Sequence, residues 1–223
     1  MENKINLSDF EAVIFDMDGV LIDSEPLWKI VMEQTFIEVG CNLTREDFAK
    51  TTGMRIDEVI AYWFNIIGWD GMSAKEVENR IIQRMVTLIE ENGTPLEGVI
   101  ETLNFLKKQN ILVGLGTSSY AILIAAVLRT LKIEDAFNFV HSAEHEEYGK
   151  PHPAVYITVA EKLGVNPSNC LVIEDSLNGI ISAKAAKMKA VCIPEKTHKP
   201  DPRMILADYH FTSMLDLYKE ISI

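Results

Sequence analysis

The chain has 223 residues, 48% of them hydrophobic, and carries 21 Lys and Arg against 33 Asp and Glu for a formal net charge of −12. That length and apolar content suffice for a sizeable core and one or two domains. The acidic balance argues against a nucleic-acid partner, because a phosphate backbone needs a basic face.

The three cysteines, Cys41, Cys170 and Cys192, have no paired metal spacing, and Cys170 and Cys192, in apolar strand-like runs, read as buried free thiols. The amino terminus lacks a basic-then-apolar leader, and no apolar run reaches the ~18 residues of a membrane span. The expected setting is therefore soluble and cytoplasmic, without a membrane partner.

In chain order, the first predicted strand is Ala12–Phe15, and it runs straight into Asp16-Met17-Asp18-Gly19. Side chains alternate along extended backbone, so positions i and i+2 are expected to point the same way. Two carboxylates that close repel by about 4 kcal/mol at an effective dielectric near 20, and a divalent cation or a proton would offset this. From about Pro26 to Asn92 the patterns are all helical. Over Ala74–Glu91, Val77, Ile81, Met85, Leu88 and Ile89 form one apolar stripe, with Ser73 and Glu76 spaced as a capping box. Breakers flank the stretch, Ser24-Glu25-Pro26 before it and Asn92-Gly93-Thr94-Pro95 after it. Residues 25–93 are thus expected to form a helical cap domain, able to move over a core made of residues 1–24 plus 94–223.

Strands and helices then alternate: helix Val99–Lys108, strand Ile111–Leu115, helix Ala121–Leu131, strand Phe139–His141, helix Ala154–Leu163, strand Cys170–Ile173, helix Gly179–Lys187, and strands Ala190–Ile193 and Tyr209–Phe211. Several strands are apolar on both faces, as in a buried parallel sheet. The fold class that follows is α/β, a doubly wound parallel (Rossmann-like) sheet with right-handed crossovers and an inserted helical cap.

Open α/β sheets bind ligands outside the carboxyl ends of their strands. Those ends carry Asp16, Asp18 and Gly19; then Gly116, Thr117, Ser118 and Ser119; then Gly149-Lys150-Pro151-His152-Pro153; then Glu174, Asp175, Ser176 and Gly179. Carboxylates without imidazole or thiolate suit Mg2+ rather than zinc. A lysine, small hydroxyls and backbone N–H groups suit phosphate. One aspartate can attack phosphorus, and a second can protonate the leaving oxygen and later take a proton from water. A cation and a lysine can offset the charge on the transferred group. A calcium loop is disfavoured, because an EF-hand needs its glycine at position six and a helix before the loop.

These four segments, together and in this order, resemble the haloacid dehalogenase superfamily in its capped, β-phosphoglucomutase-like branch, and the resemblance covers nearly the whole chain. It implies that Asp16 is the nucleophile and a Mg2+ ligand, and that Asp18 is the general acid and base with its backbone carbonyl on the metal. It implies that Thr117 and the Ser118 amide hold phosphate, that Lys150 bridges phosphate and Asp16, and that Asp175 completes the metal shell, with Glu174 a further ligand or an acid just behind it. The segments Asp23–Trp28, Gly53–Asp57 and Ala183–Met188 are most similar to those of bacterial hexitol and 2-deoxyglucose-6-phosphate phosphatases. The implied activity is a Mg2+-dependent phosphatase that hydrolyses a small sugar or sugar-alcohol phosphate through an aspartyl phosphate.

Two other readings stay open. A β-phosphoglucomutase-like isomerase is disfavoured because such mutases usually have histidine where this chain has Trp28 and arginine where it has Ile56. A catalytically silent phosphate-binding module is disfavoured by the presence of Asp16, Asp18, Lys150 and Asp175. Trp28 and Arg55 are candidates to face the substrate. Asp23 and Ser24 are expected to turn the chain and cap the first helix of the insert, and His152 to pack its loop. A monomer is expected.

Overall fold

The computed structural model describes residues 4–51, 53–194 and 201–222. Strand β1 (Ala12–Phe15) is buried on both faces and lies at the middle of a six-stranded, all-parallel sheet. Its companions are β2 (Leu112–Thr117), β3 (Phe139–Ser142), β4 (Cys170–Glu174), β5 (Lys189–Cys192) and β6 (Tyr209–His210), in the order β3-β2-β1-β4-β5-β6. The chain winds outward from β1 through β2 to β3, then crosses back to β4 on the other side of β1. This reversal puts the crevice where doubly wound sheets bind ligands beside the carboxyl ends of β1 and β4. Register fixes the level: Phe15 pairs with Leu115 and Ile173, so Asp16 follows at the height of Gly116 and Glu174.

The period of two in the strands sorts their side chains into two apolar layers. Val13, Phe15, Val113, Leu115, Leu171 and Ile173 enter one, which is continuous with residues 27–89 of the insert through Val31, Phe36, Ile81 and Met85. Ala12, Ile14, Val172, Ala190 and Cys192 enter the other, under α7 (Ala154–Leu163) and α8 (Leu177–Ala185). Helices α5 (Val99–Lys108), α6 (Ala121–Leu131) and α9 (Met214–Ile221) complete the sandwich. Among the described residues no helix is long and apolar enough to cross a membrane.

The insert is helical as expected: α1 (Glu25–Glu38), α2 (Arg45–Ala49), α3 (Ile56–Ile66) and α4 (Ala74–Asn92). The capping box at Ser73 and Glu76 forms, with both reciprocal hydrogen bonds present, and α4 packs along α1, α3 and α6. The two passages of chain into and out of the insert run side by side. Ile22 bridges Pro95, and the Leu96 N–H donates to the Leu21 carbonyl at 3.1 Å.

Several boundaries shift by a residue or two from expectation, and three of the shifts bear on the site. Strands β2 and β4 extend to Thr117 and Glu174, so these residues end strands rather than begin loops. Helix α8 starts at Leu177 rather than Gly179, because Ser176 caps it by accepting the Gly179 N–H. Ser24 occupies the capping position of α1 but makes no side-chain cap there; its hydroxyl is engaged by Asp18.

Candidate active site

Lys150 sits in the loop between β3 and α7, and its ammonium is buried at 2% exposure. A buried ammonium is costly unless charge and hydrogen bonds satisfy it. Here the three hydrogens of Nζ are shared among four acceptors within hydrogen-bonding distance: Asp16 Oδ1 at 2.7 Å, Glu174 Oε1 at 2.7 Å, Tyr156 Oη at 2.8 Å and the Gly116 carbonyl at 3.1 Å. Burial pulls the Lys150 pKa down, but Asp16 and Glu174 outweigh it and hold the ammonium above its ordinary value.

Asp16, Glu174 and Asp175 bring one oxygen each within 4.8 Å of one another. A single ammonium cannot neutralise three carboxylates at that spacing. Burial, and then the charges of Glu174 and Asp18, push Asp16 up to about 7 despite Lys150. Burial, with Glu174 and Asp16 alongside, raises Asp175 well above the usual carboxylate range. Such a group either holds protons or takes a cation, and an all-oxygen donor set of this kind fits Mg2+. Glu174 is the most committed member. It is fully buried, Oε1 accepts from Lys150 and Tyr156, and Oε2 accepts from the Asp175 N–H (3.1 Å), the Ser176 N–H (3.3 Å) and the Ser176 hydroxyl (3.1 Å). Two glycines make room for the carboxylates. A Cβ at Gly19, whose φ is +71°, would lie 2.0 Å from Asp175 Oδ2, and one at Gly179 would lie 1.7 Å from Glu174 Oε1.

Asp16 and Asp18 both face the same cavity, as expected of two carboxylates brought to one strand end, but different partners hold them. Regular strand ends at Phe15. The Asp18 carboxylate is held on a different scaffold: Oδ1 accepts the Ser24 hydroxyl at 2.6 Å and the Trp28 indole N–H at 2.8 Å, and Oδ2 accepts the Ser119 hydroxyl at 2.6 Å. Asp16 is thus tied to the core lysine, and Asp18 to the first helix of the insert and the loop after β2.

A cavity of about 480 Å³ lies between these groups and the insert. Asp16, Asp18, Thr117, Ser118, Lys150 and Asp175 contribute from the strand ends, while Trp28, Met32, Phe48, Met54 and Ile56 contribute from the insert. Thr117 is buried at the end of β2, and its hydroxyl accepts the Ser119 N–H at 3.1 Å. The Ser118 hydroxyl donates to the Gly53 carbonyl in the insert at 3.0 Å.

Trp28 does line the cavity. Arg55 does not: its guanidinium forks onto Asp57 and donates to the Ala143 and Glu146 carbonyls, both at 2.8 Å. Glu58 beside it accepts the Gly149 N–H at 2.9 Å. Arg55 therefore ties the insert to the segment that leads into Lys150. His152 is exposed, with its ring against Tyr148. The sequence reading did not include Tyr156, whose signal was a lone hydroxyl on the otherwise apolar buried face of its helix, nor the roles of Ser24 and Ser119. The Tyr156 phenol, raised well above its usual pKa by burial and by Glu174, remains a neutral donor.

The haloacid dehalogenase-like hydrolase model matches residues 13–193. The chain is 42% identical over 207 residues to hexitol phosphatase B of Escherichia coli (strain K12), covering 92% of this chain and 93% of that one. It is 30% identical over 181 residues to a phosphorylated carbohydrates phosphatase of Thermotoga maritima, covering 81% and 83%. The crystal structure of β-phosphoglucomutase from Clostridium difficile superposes with a TM-score of 0.83 at 25% identity, covering 96% and 97%. With that architecture and family match, the chain belongs to the haloacid dehalogenase-like hydrolases.

Proposed function

We propose that this hydrolase is a Mg2+-dependent phosphomonoesterase acting on a small sugar or sugar-alcohol phosphate. The observation that carries the reading is the buried Asp16–Lys150 pair at 2.7 Å, on the floor of a cavity that Asp18 enters from a separate scaffold. Asp16 attacks phosphorus, and the bond to the sugar oxygen breaks as Asp18 delivers a proton to that oxygen. Asp18 then takes a proton from a water that attacks the aspartyl phosphate, which frees phosphate and restores Asp16. Thr117, the Ser118 amide and Lys150 hold the phosphoryl oxygens. Asp16, Asp175 and the Asp18 carbonyl would hold Mg2+, with Glu174 behind them. Bound there, the cation would offset negative charge on the phosphoryl group.

Residues 25–93 act in this reading as a lid on the core of residues 1–24 plus 94–223, excluding water during transfer and opening to release product. The paired passages at Ile22 and Pro95 provide its hinge. The similarity to hexitol phosphatase B favours a sugar-alcohol or hexose phosphate. Trp28 and Ile56, in place of the histidine and arginine usual in the mutases, favour hydrolysis over isomerisation.

The test is a panel of hexose, pentose and hexitol phosphates, assayed for phosphate release with and without Mg2+. Steady release that requires Mg2+ and disappears in Asp16→Asn is the expected result. Near wild-type turnover in Asp16→Asn overturns the nucleophile assignment, and isomerised sugar phosphate without release makes the chain a mutase.

A further inference from the structure

Tyr156, in the first turn of α7, is fully buried and touches two members of the lysine network, Lys150 and Glu174. Its hydroxyl lies 2.8 Å from Lys150 Nζ and donates to Glu174 Oε1. Counting protons fixes the directions. An ionised carboxylate only accepts, and a phenol has one hydrogen, so that hydrogen goes to Glu174 and a phenol lone pair accepts from Lys150. The ammonium also lies over the tyrosine ring, 4.6 Å from its centroid. Gly116 lets the ring lie flat against β2: a Cβ there would meet Tyr156 Cδ1 at 3.2 Å.

A lysine side chain is a flexible stem carrying a point charge, and two carboxylates compete for this one at equal distances of 2.7 Å. Glu174 is the more thoroughly anchored of the two. We infer that Tyr156 is a positioning residue: by occupying Glu174 with its own hydrogen and accepting from Nζ, its hydroxyl keeps the Lys150 ammonium shared with Asp16 instead of collapsing onto Glu174. The inference rests on Asp16 and Lys150 being the reacting pair of the proposed phosphatase.

Tyr156→Phe keeps the ring and removes only the hydroxyl. Small displacements of a reacting group are costly, up to about a hundredfold in rate for 1 Å, so a loss of about tenfold in kcat is expected. KM should change by less than about threefold, since the phosphate keeps its other contacts. A residue that merely fills space would lower thermal stability and leave kcat per folded molecule unchanged, and that result overturns the inference. Gly116→Ala is the second variant: it crowds the ring by a few tenths of an ångström with the hydroxyl retained, and kcat should fall several-fold in the same direction. It also decides the matter if Tyr156→Phe does not fold.

Wild type and Asp16→Asn are assayed alongside. If wild type releases phosphate, Asp16→Asn does not, and Tyr156→Phe keeps kcat within about twofold, the positioning role fails and the proposed function stands. If wild type releases none, the function fails, and 15N-lysine NMR judges the geometry alone. A slowly exchanging Lys150 ammonium signal, assigned by its loss in Lys150→Met, should broaden in Tyr156→Phe; no change refutes the role.

Discussion

Replacing Gly179 with alanine should destabilise this protein, although the same change in an exposed helix adds up to about 1 kcal/mol of stability. Gly179 lies in the first turn of α8, and a Cβ there would fall 1.7 Å from Glu174 Oε1, 1.8 Å from Cδ and 2.2 Å from Oε2. Glu174 cannot simply swing aside. Its carboxylate is fully buried and accepts from Lys150, Tyr156, the Asp175 and Ser176 N–H groups and the Ser176 hydroxyl. Overpacking alone costs about 1–3 kcal/mol, and each hydrogen bond to a charged group that is lost adds about 1.5–3 kcal/mol. With the helix gain credited, a net loss of about 3 kcal/mol is expected, which lowers Tm by about 6–12 °C in a chain of this size. Thermal and urea unfolding of wild type and Gly179→Ala measure it directly. A Tm equal to or above wild type would show that Glu174 relaxes freely, and would refute its rigid role as the anchor of Lys150.

Trp28→Phe removes the indole donor from Asp18 while keeping an aromatic wall. A hydrogen bond to a carboxylate contributes about 1.5–3 kcal/mol, so kcat for phosphate release should fall by about tenfold or more if that bond sets the Asp18 orientation; unchanged steady-state kinetics would refute this. Away from the site, Asp208 accepts from Lys184 (2.6 Å), Lys189 (2.8 Å) and the Ala190 N–H (2.9 Å). Burial raises its pKa, but these bonds outweigh burial and hold it below the ordinary value. A lowered folded pKa means stability present above the unfolded value of about 3.9 and lost as pH falls through the folded one. Asp208→Asn should therefore lower Tm at pH 7 by about 2–4 °C, after allowance for solvent screening. Melts repeated below about pH 3 should show the gap closing, and a gap constant with pH would refute the linkage.

How much of this was legible in the sequence depended on the range of the interactions. Strand β1, the helices α5, α6 and α7, and the Ser73–Glu76 box rest on period and on contacts three or four residues apart, and they form where their patterns put them. The placing of Asp16, Thr117, Lys150 and Asp175 around one rim needed only the order of strands and the rule that ligands gather at their carboxyl ends. The partners of Asp18 were not legible, because the regular strand stops at Phe15 and the Ser119 that holds one of its oxygens lies 101 residues away. Arg55 carried no local sign that its partners would be carbonyls 88 and 91 residues away.

From sequence alone came the fold class, the helical insert and the set of groups able to perform phosphoryl transfer, because periodicity, caps and residue chemistry are local properties. Only tertiary structure decided which carboxylate faces which partner. The Lys150–Asp16 contact spans 134 positions and Ser119–Asp18 spans 101. At such separations the direction of a side chain is set by the packing of the whole sheet, with Gly116 and Gly179 leaving space that Tyr156 and Glu174 fill.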